Sequence, residues 1–218
     1  MAHLRKKKEC EQLGVTLIQF FQDEWDLKND ICKSMLKHRL GMSIRSIPAR
    51  KCEVVEISWK EHKAFIDKTH IAGAVPGSVY FALRHSNNVV ASLSLRKPMQ
   101  MKYSNSMEIA RFSCDLDTAI PGGLTRLLSA ARRWCQDRDY DKIVTYADRR
   151  FGDGKGYEAA GFRKIGDTGL DYAYTDLTLR YDRSKFRARS GRTEDQIAKE
   201  SDVWKIYGCG SWIFEINV

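Results

Sequence analysis

A proline and two glycines, Pro121-Gly122-Gly123, stand where a β-rich stretch gives way to a helical one whose first turn carries Leu124, Thr125 and Arg126. The first N–H groups of a helix lack intrahelical partners and sit at the positive end of its dipole, and glycine lets a ligand approach the backbone closely. The turn from Ile120 to Arg126 therefore suits a pyrophosphate, although a Gly-Gly turn before a helix can also be plain loop geometry. Arg111 lies in the middle of the apolar segment 107–114, where an unpaired charge is expensive. It either pairs with an acid such as Glu108 or Asp148 or faces a cleft as a substrate clamp. His70, in a loop with Gly73, Pro76 and Gly77, is the histidine placed for general-base work; the alternative is an ordinary exposed side chain. Asp148-Arg149-Arg150 close a strand at its carboxyl end, where ligands of α/β sheets gather, or else form a solvated charged turn.

Positioning these groups takes a mixed α/β chain. Residues 4–13 read as a polar helix stopped by Gly14, residues 15–21 as a strand, and residues 23–40 as a helix with Trp25, Leu27, Ile31, Met35 and Leu36 at helical spacing. Residues 51–57 alternate as a strand, and Ser58 caps a helix through Ile66. Residues 78–83 and 89–95 flank Asn87-Asn88 as a hairpin. Then follow a strand at 107–114, a long helix at 124–138, a strand at 142–147, a short helix at 155–160 closed by Gly161, and a strand at 172–181. The Arg-rich stretch 182–195 reads as a mobile connector, and the aromatic ending 204–216 as a final strand or hairpin.

The chain has 218 residues, 43% of them hydrophobic, enough for one full domain and an appendage. No apolar run reaches membrane-spanning length and the basic start is not followed by an apolar segment, so a cytoplasmic protein is expected. Six dispersed cysteines lack metal-knuckle or redox spacing; most should be reduced and buried, and no metal site is expected. The net charge of +9 favours a polyanionic partner.

Tyr157-Glu-Ala-Ala-Gly161-Phe162 follows the strand after the long helix, and this spacing resembles the Tyr-x-x-x-Gly-Phe segment of GNAT-type acyl-CoA N-acyltransferases. With the glycine turn, the hairpin and the closing strand in matching order, the resemblance covers about residues 52–181. It implies a GNAT-like mixed, mostly antiparallel central sheet flanked by helices, with a small N-terminal helix-strand-helix appendage. The usual Gln/Arg-x-x-Gly-x-Gly/Ala signature is imperfect: Ala119 stands at its first position and Leu124 at its last. Within the superfamily, His70, Arg96-Lys97-Pro98, Glu108 to Cys114 and Lys142 to Tyr146 are most similar to phage Mom-type DNA-modification proteins and to the GNAT-like domain of phage homing-endonuclease-like proteins. Residues 8–25 resemble the C-terminal part of very-short-patch-repair nucleases without the catalytic strands, so no nuclease activity is expected, and Asp23-Glu24 are read as helix-capping acids. The divisions implied are 1–48, 49–181 and 182–218.

The resemblance implies acetyl-CoA or another acyl-CoA as cofactor, cradled by Ile120, Gly122, Gly123, Leu124, Thr125 and Arg126. Backbone N–H groups around Ser113, Cys114 and Asp115 would hold the thioester carbonyl. Tyr157 would give a proton to the departing thiolate, or it is a core tyrosine anchoring the short helix. The resemblance favours the cleft for Arg111. Three functions remain open: acylation of a nucleobase or base-attached amine in DNA, acetylation of a small amine or protein lysine, and an inactive module binding nucleic acid or a host protein.

Overall fold

A computed structural model describes residues 2–98 and 105–218. In chain order the elements are α1 (Ala2–Gln12), α2 (Gln22–Leu27), α3 (Asn29–Arg39), β1 (Arg45–Ser46), β2 (Glu53–Glu56), α4 (Trp59–Thr69), β3 (Val79–His85), β4 (Asn88–Arg96), β5 (Ser106–Cys114), β6 (Thr118–Ala119), α5 (Gly123–Gln136), β7 (Lys142–Asp148), α6 (Lys155–Ala159), β8 (Arg163–Asp167), β9 (Tyr172–Thr175), β10 (Arg180–Tyr181), α7 (Glu194–Glu200), β11 (Trp204–Tyr207) and β12 (Ser211–Asn217). The main sheet has seven strands in the order β2-β3-β4-β5-β7-β12-β8. Its β2-β3-β4-β5 run is antiparallel and β5 pairs β7 in parallel, with α5 between them in sequence, so the expected mixed, mostly antiparallel sheet with flanking helices is found. No described helix is long and apolar enough to cross a membrane.

The chain divides into two compact units, one of Met1–Leu27, Ala147–Lys155 and Gly166–Ile213, the other of Lys28–Tyr146, Gly156–Ile165 and Phe214–Val218. In the second, the two faces of the sheet carry different chemistry. Phe81 and Leu83 register with Leu93 and Ala91 on one face, and the Leu83 side chain lies beside Gly123 at the start of α5. That helix buries Leu127, Leu128, Ala131 and Cys135 at helical spacing. Tyr80 and Ala82 register with Ser94 and Ser92 on the opposite face. There α4 packs, capped by Ser58 Oγ accepting from the Glu61 N–H, with His62, Ile66 and Thr69 buried one turn apart. The β3–β4 hairpin turns at Ser86 and Asn87, both with positive φ as a type I′ turn demands, so Asn88 opens β4 instead of closing the turn.

The first unit holds a three-stranded sheet, β10-β9-β11, packed on Tyr174, Phe186, Ile197, Ala198 and Val203. Its charged interior centres on Arg150, whose guanidinium donates to both Glu24 oxygens at 2.8 and 3.0 Å and to Asp148 at 2.8 Å. Arg180 joins Asp23 at 2.7 Å and Glu24 at 2.8 Å. Glu24 also accepts from the Phe21 N–H, the capping use expected of it, while Asp23, expected to cap as well, is taken by Arg180. Acidic and basic residues cancel in this unit, so the whole excess of +9 falls in the other.

Several elements differ from the sequence expectation. Residues 15–20 form no strand: in this stretch Val15 N–H closes onto Cys10 and Gln19 N–H reaches the Arg150 carbonyl, links too sparse for a ladder. The helix expected over 23–40 is interrupted at Lys28, whose φ of −133° and ψ of 37° leave the helical region. The strand expected at 172–181 folds back on itself as β9 and β10, because the Asp176 side chain accepts from the Thr178 and Leu179 N–H groups and Leu177 turns to positive φ. The stretch 182–195 is structured: Phe186 is buried, Arg189 bridges Arg192, and Thr193 with Gln196 makes a capping box for α7. The aromatic ending is two strands in different sheets, β11 beside β9 and β12 in the main sheet. All six cysteines are free thiols, four of them buried.

Candidate functional site

The site begins where the parallel pair comes apart. Strands β5 and β7 register from Ser106↔Lys142 to Ile109↔Thr145 and no further, although β5 runs on to Cys114. Asp115 N–H bonds the Val90 carbonyl, and alternation along an antiparallel ladder then turns Ser113 and Arg111 toward β4 and the N–H groups of Phe112 and Cys114 toward the edge that β7 has left. Beyond Ile109 this edge of β5 faces a split in the sheet at the carboxyl ends of two parallel strands: the Phe112 and Cys114 N–H groups have no partner there among the described residues, while the Ala110 and Cys114 carbonyls accept from the Arg111 and Ser113 side chains.

From Cys114 the chain passes through β6 to the N-terminus of α5. Residues 45–49 run alongside: Arg45↔Thr118 and Ser46↔Ala119 pair in parallel, then Ile47 N–H bonds Ala119 and Ala49 N–H bonds Pro121. This brace fixes the Pro121-Gly122-Gly123 turn. Gly122 is the N-cap with φ of 77°, a left-handed conformation that disfavours any side chain, and offers no side-chain cap. Gly123 is required sterically, since a Cβ there would lie 2.9 Å from Ile120 Cγ2. Ile120 is buried and its carbonyl takes the Gly123 N–H, so it acts as a wedge under the turn. With no acid in the first turn and no cap, the Leu124 and Thr125 N–H groups remain as donors at the positive helix end. Arg126 follows with a buried Nε that has no hydrogen-bond partner, beside the Cys52 thiol, whose pKa burial raises and Arg126 lowers.

Tyr157, in α6, reaches the inner end of the split. Its ring packs between Phe162 and Phe214, each centroid 5.6 Å away, and its hydroxyl shares a hydrogen bond with Thr145, the last β7 residue paired with β5. Burial raises its pKa and the Thr145 bond opposes this, so the phenol keeps its proton at neutral pH.

The remaining residues fall into place unequally. Ser113 Oγ donates to the Thr69 carbonyl and its N–H faces β4; Asp115 is engaged by Arg45 at 2.8 Å. Of the three residues expected to hold a carbonyl, only Cys114 turns its N–H to the split; its thiol, pushed up to about 12 by burial and by Asp115, is inert. Arg111 pairs with neither Glu108 nor Asp148. Its Nε donates to the Gly73 carbonyl at 2.6 Å and its Nη1 to the Ala110 carbonyl at 2.7 Å. His70 departs from the general-base expectation: Nδ1 accepts the Ala72 N–H, which leaves Nε2 as a donor, and burial, Arg111, Lys28 and His62 lower its pKa to about 3. Asp148 belongs to the other unit and accepts from the Arg150 side chain and N–H, so it is a structural anion; Arg149 and Arg150 are buried, contrary to a solvated turn. Sequence reasoning missed Thr145 and Lys28, because a threonine inside an apolar strand and a lysine inside a helical pattern give no signal of their own.

No family model matches the sequence, and no curated protein matches it. Solved structures resemble it in fold. A provisionally assigned streptothricin acetyltransferase from Bacillus anthracis str. Ames, in complex with acetyl coenzyme A, has 13% identity and a TM-score of 0.47 over 77% of this chain and 98% of its own. A Bacillus subtilis acetyltransferase in complex with CoA has 12% identity and a TM-score of 0.45 over 77% and 98%. An N-acetyltransferase from Staphylococcus aureus Mu50 has 10% identity and a TM-score of 0.45 over 76% and 98%.

Proposed function

We propose that the chain is an acyl-CoA-dependent N-acyltransferase. The observation that carries this is the placement of a protonated tyrosine hydroxyl on Thr145, where the parallel β5–β7 pair opens. The uncapped α5 turn supports it: its N–H donors and the orphaned Arg126 Nε fit the pyrophosphate of an acyl-CoA. The bound thioester would supply an acyl group activated toward an amine. The chain's own groups divide the remaining work. Gly122 to Arg126 hold phosphate, the Phe112 and Cys114 N–H groups orient and polarise a carbonyl laid along the β5 edge, and Tyr157 Oη holds a proton for the leaving sulfur. For an amine that arrives neutral no histidine base is needed: as the C–N bond forms and the C–S bond breaks, Tyr157 gives its proton to the sulfur and is restored by the proton that the nitrogen sheds.

For the acceptor, an amine in DNA is our working choice, as in the Mom-type resemblance, and it draws support from the +9 excess carried by this one unit. Calorimetry with acetyl-CoA tests the central reading. Binding that weakens in Arg126→Ala is expected; no detectable binding would leave an inactive binding module as the better description. Mass spectrometry of nucleosides from DNA incubated with protein and acetyl-CoA tests the acceptor: an acetyl adduct is expected, and an unchanged profile despite cofactor binding would favour a small amine or a protein lysine.

A further inference from the structure

Resting on that acyltransferase reading, we propose that the acceptor amine carries an anionic group of its own, a carboxylate or a phosphate ester, and that Arg111, Lys28 and His70 hold that group at the mouth of the split. Alternation along β5 directs the Ala110 carbonyl toward the edge that β7 leaves, so the guanidinium bonded to it stands at that edge. Arg111 is only partly exposed, yet it forms no ion pair among the described residues. The acid across the sheet from Arg96, Glu108, is taken by that residue through Nε at 2.9 Å and Nη2 at 2.6 Å. Asp67, the acid beside the loop, is bonded to Lys63 and to the Ala74 N–H. A sequestered cation without a counterion is costly, and a ligand anion offsets that cost.

The geometry is built for this. The loop from His70 to Gly73 ties down two cations by its own carbonyls, Lys28 Nζ on Ile71 at 2.6 Å and Arg111 Nε on Gly73 at 2.6 Å. With Nε and Nη1 of Arg111 committed to carbonyls, its Nη2 keeps both protons uncommitted among the described residues, and Lys28 retains protons beyond the one given to Ile71. His70, whose Nδ1 accepts the Ala72 N–H, adds an Nε2–H donor, and both cations act on its ring. The set is made of donors only, which suits an oxyanion and repels an ammonium. An amine tethered to that anion would be drawn in by it and meet the split in a neutral form.

Three primary amines of similar length distinguish the sources of the anion: 2-aminoethyl phosphate, β-alanine and ethanolamine. Binding to the protein without cofactor, followed by ligand-observed NMR, is the readout, so the result does not depend on turnover. At least one of the two anionic amines is expected to bind about tenfold more tightly than ethanolamine. Which of them does so identifies phosphate or carboxylate. Arg111→Gln should bring the anionic and neutral ligands to within about threefold, and Lys28→Gln, at a partly exposed helix start, should erode the preference even where Arg111→Gln folds poorly. Equal binding of all three amines, or a preference that survives both substitutions, overturns the proposal. Acetyl-CoA binding alongside equal amine binding would overturn this inference alone, whereas anion preference without acetyl-CoA binding would overturn the acyltransferase reading and leave Arg111, Lys28 and His70 as a site for anionic amines that are not acylated.

Discussion

Replacing Tyr157 by phenylalanine and Thr145 by valine, singly and together, separates packing from proton donation. Phenylalanine keeps the ring contacts with Phe162 and Phe214 and removes only the hydroxyl. Thr145, 1% exposed, then loses its partner in the core, a loss of about 1–3 kcal/mol in unfolding free energy. Thr145→Val strands the Tyr157 hydroxyl and should cost a similar amount. The double variant removes both polar groups while preserving both shapes, so its loss should fall short of the sum by about 1 kcal/mol or more. Activity should follow a different pattern. Tyr157→Phe is expected to lower kcat by about 10²–10⁴-fold with acetyl-CoA affinity little changed, and the double variant should stay equally slow despite its partly restored stability. Thr145→Val, which keeps the acid but loosens its aim, should lie between. Urea denaturation followed by fluorescence gives the stabilities, and thiol release trapped by a chromogenic disulfide gives the rates. A double variant that regains turnover along with stability, or a Tyr157→Phe protein as fast as its parent, would refute the reasoning.

Three further outcomes are expected. Gly122→Ala meets only an ordinary contact with Ala49, so its cost is the left-handed φ, about 1–2 kcal/mol, and calorimetry should show weaker acetyl-CoA binding because the new methyl group enters the cradle; unchanged affinity would move the phosphate site elsewhere. His62 is fully buried, and burial, then Arg111, lowers its pKa from 6.5 to about 4, with Asp67 opposing. The unfolded chain takes up the proton first, so stability is complete above about pH 6.5 and falls toward pH 4 by on the order of 3 kcal/mol. His62→Gln should flatten that part of the urea-midpoint profile relative to the parent, and identical slopes would count against a neutral buried imidazole. Arg150→Met leaves Glu24 and Asp148 short of a partner and should destabilise by about 3 kcal/mol, near the low end for a broken buried pair because Arg180 stays on Glu24. Adding Glu24→Gln should recover part of this loss in thermal melts, and a larger loss in the double variant would argue against charge as the cause.

The turn of Pro121 to Gly123 was readable in the sequence because glycine, helix start and strand end are local signals, and the hairpin on either side of Asn87 was readable in the same way. What could not be read depends on residues distant in sequence. Nothing near Arg111 says that Gly73 holds it, and nothing near His70 says that Ala72 takes the nitrogen a base would need. Arg150 looks like a surface charge until Glu24 and Asp148 surround it. The break at Lys28 is similarly hidden, since α2 and α3 share one hydrophobic periodicity. The split itself appears in sequence only as two apolar strands; where their pairing stops, at Ile109 and Thr145, is a matter of register.

The Glu24–Arg150–Arg180 knot also sets a timetable. On a ribosome, Phe21 and Glu24 are made early, the arginine that neutralises Glu24 comes more than a hundred residues later, and Arg180 later still. At the usual pace of synthesis that wait is on the order of ten seconds. Through it the N-terminal helices hold acids and an aromatic face with no partner, while the segment from Lys28 onward already contains the strands it needs up to β7. The nascent chain can thus pair β2 to β7 while Glu24 waits for its arginines, but neither half closes until the C-terminal strand, with Phe214 beside Tyr157, has been made. Protection of the first helices against a protease should appear only once the chain has been extended past Arg180.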